Sequence, residues 1–229
     1  MDENLKDVKS SFLTPNAHGV VLDVGAGMSF YSVISTIFHE FALNIPPITG
    51  FGHAVQYLDR SKVTKYIAIE PNASMHASIR SKANEIGFTE ADGTLVIVPY
   101  GAEHINLVTS AIGGLHSIDT MLFFMSLCGV PKPQETSRRL NNELLKPGGL
   151  VLFYEHVRSP RSDIAWWQHL WTPITNLMFD GCCLDRPTDV WLENLGIWES
   201  VDIWTHGEEE DQPEEKLFWY RGGKLVKAA

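Results

Sequence analysis

An acid and two glycines, Asp23-Val24-Gly25-Ala26-Gly27, follow the apolar run Val20-Val21-Leu22, and a second acid, Glu70, closes the run Lys65-Tyr66-Ile67-Ala68-Ile69. Further along, His156 follows Phe153-Tyr154-Glu155, His169 sits among Trp166, Trp167 and Trp171, and Cys182 adjoins Cys183. Each set carries a chemistry. Glycines without a Cβ admit a ligand close to the backbone. A helix starting after them, from about Tyr31, supplies free N–H groups at its N-terminus. Glu70 stands at the carboxyl end of a strand, where ligands of open α/β sheets bind, and a carboxylate there accepts both hydroxyls of a ribose. Its plainer role is to end the strand and favour the start of the next helix. A histidine that titrates near neutral pH can take a proton from a reacting group.

Two ligand classes use a strand followed by such a turn. A dinucleotide site has G-x-G-x-x-G, and here Phe30 stands where the third glycine belongs. The acid ahead of Gly25 suits a cationic ligand, and the sulfonium and amino group of S-adenosylmethionine fit that description. Taken alone, Asp-x-Gly-x-Gly is either the methyltransferase version of this turn or a chance glycine-rich turn.

The elements that must position these residues alternate between strand and helix. Val20 to Val24 reads as a strand buried on both faces, as central parallel strands are. Lys65 to Ile69 is the second strand, and Pro71-Asn72 turns into a helix over Ala73 to Ile86. Thr94 to Val98 is the third strand and Ser117 to Phe124 the fourth. A helix from about Gln134 to Leu145 stops at Lys146-Pro147-Gly148-Gly149, and Leu150 to Tyr154 is the fifth strand. Ile197 to Thr205 and Lys216 to Tyr220, extending towards Val226, read as an antiparallel pair joined by an acidic loop. The expected architecture is a single Rossmann-like α/β domain over 1–229, with a seven-stranded, mostly parallel sheet and helices on both faces. Residues 1–19 form an N-terminal extension, 29–64 either a cap-like insertion or an ordinary helix pair, and 156–196 a helical segment on the substrate side.

Composition limits the partners. The 229 residues are 44% hydrophobic and 20% charged, ordinary values for a globular domain. A formal charge of -10, part of it in the run from Glu208 to Glu215, argues against nucleic acid as a general partner. The N-terminus shows neither a signal-peptide pattern nor a membrane anchor, so the cytoplasm is the default expectation. Oligomeric state is not readable. With three cysteines, two of them adjacent, no disulfide framework is expected.

Leu144-Leu145-Lys146-Pro147-Gly148-Gly149 before a fifth strand resembles the post-core motif of class I S-adenosylmethionine-dependent methyltransferases. Phe153-Tyr154-Glu155-His156-Val157, Trp166-Trp167-Gln168-His169 and Phe179-Asp180-Gly181-Cys182-Cys183-Leu184-Asp185-Arg186 are similar to the methyltransferase-like 7 family, which includes membrane-associated enzymes that methylate small alkyl thiols. The similarity runs with gaps from about Val20 and is strongest from Leu144 to Leu195. Those members begin with a hydrophobic anchor for which this sequence shows no matching run, so membrane residence is not an expectation carried over from the resemblance. The sequence is also longer than the family pattern between Met28 and Val63.

The resemblance implies S-adenosylmethionine as cofactor. It places Asp23, Gly25 and Gly27 in the glycine loop, Glu70 at the ribose, Ala102 and Glu103 at the adenine, and Met125 and Ser126 at the methyl-transfer region. Methyl transfer from a sulfonium asks mainly for positioning. A thiol acceptor needs little base, whereas an amine or hydroxyl of a specialised metabolite or small peptide needs a proton acceptor. His156 is the first candidate base and His169 the second. Trp166 and Trp167 either wall the substrate or pack the core, and Asp180 can touch a polar substrate. A fold of this kind also occurs in cofactor-binding proteins that transfer no methyl. The spacing of Cys182 and Cys183 from His156 and His169 fits no standard zinc pattern, so no metal is expected, and the cysteines read as small packed hydrophobes.

Overall fold

A computed structural model describes residues 3–27, 54–179, 181–205 and 215–229. Met28 to Phe30, the helix expected near Tyr31, the insertion up to residue 53, Asp180 and the acidic run up to Glu214 lie outside the described residues.

In chain order the elements are α1 (Glu3–Asn16), β1 (Gly19–Val24), β2 (Val63–Ile69), α2 (His76–Glu85), β3 (Leu95–Val98), α3 (Ile105–Ile112), β4 (Ile118–Phe124), α4 (Pro133–Arg139), β5 (Leu145–Val157), α5 (Ser162–Met178), α6 (Thr188–Glu193), β6 (Trp198–Thr205) and β7 (Trp219–Lys227). The strands form one sheet in the order β3-β2-β1-β4-β5-β7-β6. Strands β1 to β5 pair in parallel, and β7 runs antiparallel to both β5 and β6. The expected seven strands with an antiparallel end are present.

Two apolar cores cover the two faces, and the period of two along each strand assigns residues to them. Val21, Tyr66, Ala68, Leu122, Phe124, Leu152 and Tyr154 share one core with Leu13 and Ala17 of the α1 segment. Leu22, Val24, Ile67, Ile69, Met121, Phe123, Val151 and Phe153 share the other with Ile105, Val108 and Leu140. Asp23 therefore falls on the α1 face, in line with Val21. The chain leaves β1 towards β2 on one side and reaches β4 on the other, so a crevice opens at the carboxyl ends of these strands.

Element boundaries differ from the expected ones where side-chain chemistry intervenes. The helix expected to reach Leu145 ends as α4 at Arg139, followed by one widened π turn over Leu140–Leu144. Lys227 Nζ donates to the carbonyls of Asn141, Asn142 and Leu145 at 2.8, 3.2 and 2.8 Å, taking up acceptors that a regular helix end leaves open. Strand β5 starts at Leu145, before the glycines: Ile118 pairs with Leu145 and Thr120 with Leu150, so the ladder bulges across Lys146 to Gly149, with Gly148 at φ 71°. The helix expected from Ala73 opens with a 3-10 turn over Ala73–Met75, capped by Asn72 Oδ1, which accepts from Ser74 N at 3.1 Å. Among the described residues no helix is long and apolar enough to cross a membrane.

Candidate functional site

The crevice is a cleft of about 220 Å³ lined by the ends of β1 and β2, by Gly101, Ala102 and Glu103 after β3, and by Ser126 and Gly129 to Pro131 after β4. The glycine turn is tied to the end of β2. Gly25 N and Ala26 N both donate to Ile69 O, at 3.0 and 3.2 Å. Gly25 has φ 74°, a conformation that glycine adopts without cost. Glu70 then bridges two turns, its Oε2 accepting from Gly27 N at 2.9 Å and its Oε1 from Asn72 N at 2.8 Å. A Cβ on Gly27 would lie 2.8 Å from Glu70 Oε2 and 2.6 Å from Met75 Cβ. Any side chain at this position must displace Glu70 or Met75.

Asp23 does not line this cleft. Its Oδ2 accepts from Tyr66 Oη at 2.6 Å, and Lys9 of α1 is buried on the same face. Burial pushes the Asp23 carboxyl up to about 7, opposed by the Tyr66 hydrogen bond and the Lys9 charge. Burial likewise lowers Lys9 to about 8, against the attraction of Asp23. The acid thus braces the strand beneath the turn.

The opposite wall hangs on Glu155. Its Oε1 accepts from Ser126 N at 2.8 Å and Leu127 N at 3.0 Å. Burial pushes its carboxyl up, against these hydrogen bonds, and Oε2 has no partner among the described residues. Met125 sits at φ 56°, uncommon for a residue with a side chain, and its N–H bonds Tyr154 O at 2.9 Å. Arg186 Nη1 donates to the carbonyls of Leu127, Cys128 and Val130 at 3.2, 2.6 and 2.9 Å. The turn after β4 is therefore held from β5 on one side and from the segment before α6 on the other. Neither Glu155 nor Arg186 is expected in the site from the sequence; an acid at the carboxyl end of β5, as Glu70 ends β2, is the available signal.

Of the expected site residues, Gly25, Glu70, Ala102, Glu103 and Ser126 line the cleft, with Gly27 and Met125 beside them in the chain. The two histidines lie elsewhere. His156 is 1% exposed, with Nε2 2.8 Å from Cys182 Sγ. His169 is on α5 with a side chain 79% exposed, and its Nδ1 faces Asp185 Oδ2 at 2.8 Å. Trp166 and Trp167 stand on α5 as well, 59% and 48% exposed, with rings edge to face at 4.9 Å. The buried residue of that stretch is Gln168, which accepts from Ser159 N and donates to the carbonyls of Val157 and Leu217. Cys182 is lowered to about 5, chiefly by a hydrogen bond from Cys128, and Cys128 is pushed well above its usual range by the same contact.

No protein-family model matches the chain. Thiol S-methyltransferase TMT1B of Homo sapiens is 37% identical over 84 residues, 36% of this chain and 34% of that protein. Thiol S-methyltransferase TMT1B of Mus musculus is 34% identical over 148 residues, 61% of this chain and 54% of that protein. The chain thus spans between a third and about half of the length of these curated relatives. Among solved structures, a putative methyltransferase from Bacillus halodurans C-125 has a TM-score of 0.56 at 13% identity, with 99% of each chain covered. The chain has the class I methyltransferase fold, and over the matched segments it is similar in sequence to thiol S-methyltransferases.

Proposed function

We propose that this chain is an S-adenosylmethionine-dependent methyltransferase acting on a small molecule, and that the accepting atom is a thiol sulfur. The observation that carries the reading is the cradle at the switch point of the sheet, where Gly27 leaves no room for a Cβ against Glu70. When bound, the cofactor supplies a methyl group on a sulfonium, which is already a good leaving group. Gly25 and Gly27 let its backbone-facing side approach, and Glu70 presents carboxylate oxygens to ribose hydroxyls. Ala102 and Glu103 border the adenine, and Met125 and Ser126 the methyl-transfer region. The protein groups then chiefly hold the acceptor in line with the methyl–sulfur bond, in a place closed to water.

Two observations support sulfur over nitrogen or oxygen. The relatives matched by the chain are named thiol S-methyltransferases. In addition, His156 is engaged by Cys182 and His169 by Asp185, and neither lines the cleft. An acceptor that ionises unaided suits such a site, and a thiol does so near pH 8.5. Incubation with methyl-labelled cofactor and a panel of thiols, amines and phenols tests this. Label is expected on thiols; label on amines without thiols overturns the acceptor. Absence of cofactor binding in calorimetry overturns the whole reading.

A further inference from the structure

We infer that Cys128, His156 and Cys182 form a binding site for a thiophilic divalent transition-metal ion of the zinc class. Their donor atoms all lie within 4.8 Å of one another. The residues come from three separate parts of the fold: the turn after β4, the end of β5, and the segment between α5 and α6. All three are buried, at 1%, 1% and 5% exposure. Tetrahedral zinc, with bonds of about 2.3 Å to sulfur and about 2.0 Å to imidazole nitrogen, needs donors roughly 3.5 to 4 Å apart. The 2.8 Å contact between His156 Nε2 and Cys182 Sγ has only to open by about 1 Å to reach that spacing.

Charge and support favour the same conclusion. Two thiolates and a neutral imidazole cancel a dication, so the loaded centre carries no net charge into a buried place. The backbone around the thiols is anchored. Arg186 holds the Cys128 carbonyl, Cys183 N donates to that carbonyl at 3.0 Å, and Thr175 Oγ1 donates to the Cys182 carbonyl at 3.1 Å. His156 Nδ1, on a buried ring, has no hydrogen-bond partner among the described residues. An ion bound at Nε2 fixes the proton on Nδ1 and replaces the hydrogen bond that Nε2 shares with Cys182 Sγ. Three protein donors leave a fourth position for water or another small ligand. The expectation of no metal weighs His156 and His169 against the adjacent cysteines; the fold instead brings in Cys128, whose distance along the chain matches no short zinc motif.

The test is a titration of the reduced, intact chain with cobalt(II), read in the ultraviolet and visible. Expected is saturation at one equivalent, with thiolate-to-cobalt charge transfer and the intense visible bands of a tetrahedral ion, both bleached by zinc. Cys182→Ser and Cys128→Ser should each weaken zinc binding by roughly 100-fold or more, while Cys183→Ser keeps the spectrum. Far-UV circular dichroism checks that the variants fold. The wild-type spectrum and a zinc competition against a chromophoric chelator need no variant. A weak octahedral cobalt spectrum overturns the proposal, as do bands unchanged in folded Cys182→Ser. So does a reduced chain, with Cys128 and Cys182 both free thiols, that takes up no metal.

Discussion

Asp23 is a carboxyl that the fold keeps protonated well above the usual carboxylate range, because burial outweighs the help of Tyr66 and Lys9. Its folded value of about 7 exceeds the unfolded 3.8. The native state therefore binds more protons between these limits, and its stability falls as pH rises through them. The stabilisation is complete below about 3.8 and lost above about 7, a span worth of order 4 kcal/mol. Lys9 titrates at about 8 and stays charged across that window. Urea midpoints from pH 4 to 7 should decline more steeply for the native chain than for Asp23→Asn; parallel curves would show that Asp23 is ionised throughout. The chemistry of Asp23 was legible as an acid before glycines, but its direction was not. That depends on which sheet face α1 covers, which strand periodicity alone leaves open.

At the scale of elements, the turn between β1 and the next segment works because it leans on the turn after β2. Gly27→Ala forces a Cβ onto Glu70 and Met75. It should cost about 1 to 3 kcal/mol of stability and weaken cofactor binding by at least roughly tenfold, a change of about 1.4 kcal/mol. Gly93→Ala is the control. Its φ of +74° strains the variant, yet nothing lies within 4 Å of the added Cβ, so calorimetry should find cofactor affinity unchanged. Equal affinity in both variants would remove the cradle from the site. The parallel strands and their order of appearance were readable because each carries an apolar run bounded by a turn signal. The ends of α4 and the start of β5 were not, because Lys227, from the far end of the sequence, supplies the hydrogen bonds that reshape them. Cys128 escaped notice for a similar reason: nothing local in Ser126-Leu127-Cys128 marks a centre that needs β5 and the residues beyond α5.

For the molecule as a whole, β7 joins the parallel part of the sheet to β6, pairing with β5 from Leu150↔Val226 to Val157↔Trp219. Phe153 and Trp204 pack on Gly223 and Gly222, where a Cβ would overlap their rings. Removing Trp219–Lys227 bares the edge of β5 and detaches β6, so the remaining chain should lose its cooperative thermal transition; a sharp transition would show that the parallel strands stand alone. Synthesis on the ribosome meets this same arrangement in time. The half that lines the cleft, β1 to β4 and the turn after them, has all its strands once Pro131 has emerged. The Glu155 clamp follows on β5, whose outer edge stays unpaired while α5, α6 and β6 are made. Until β7 arrives, the nascent chain carries the walls of the cleft beside an open strand edge, and that interval is when a chaperone has most reason to be present.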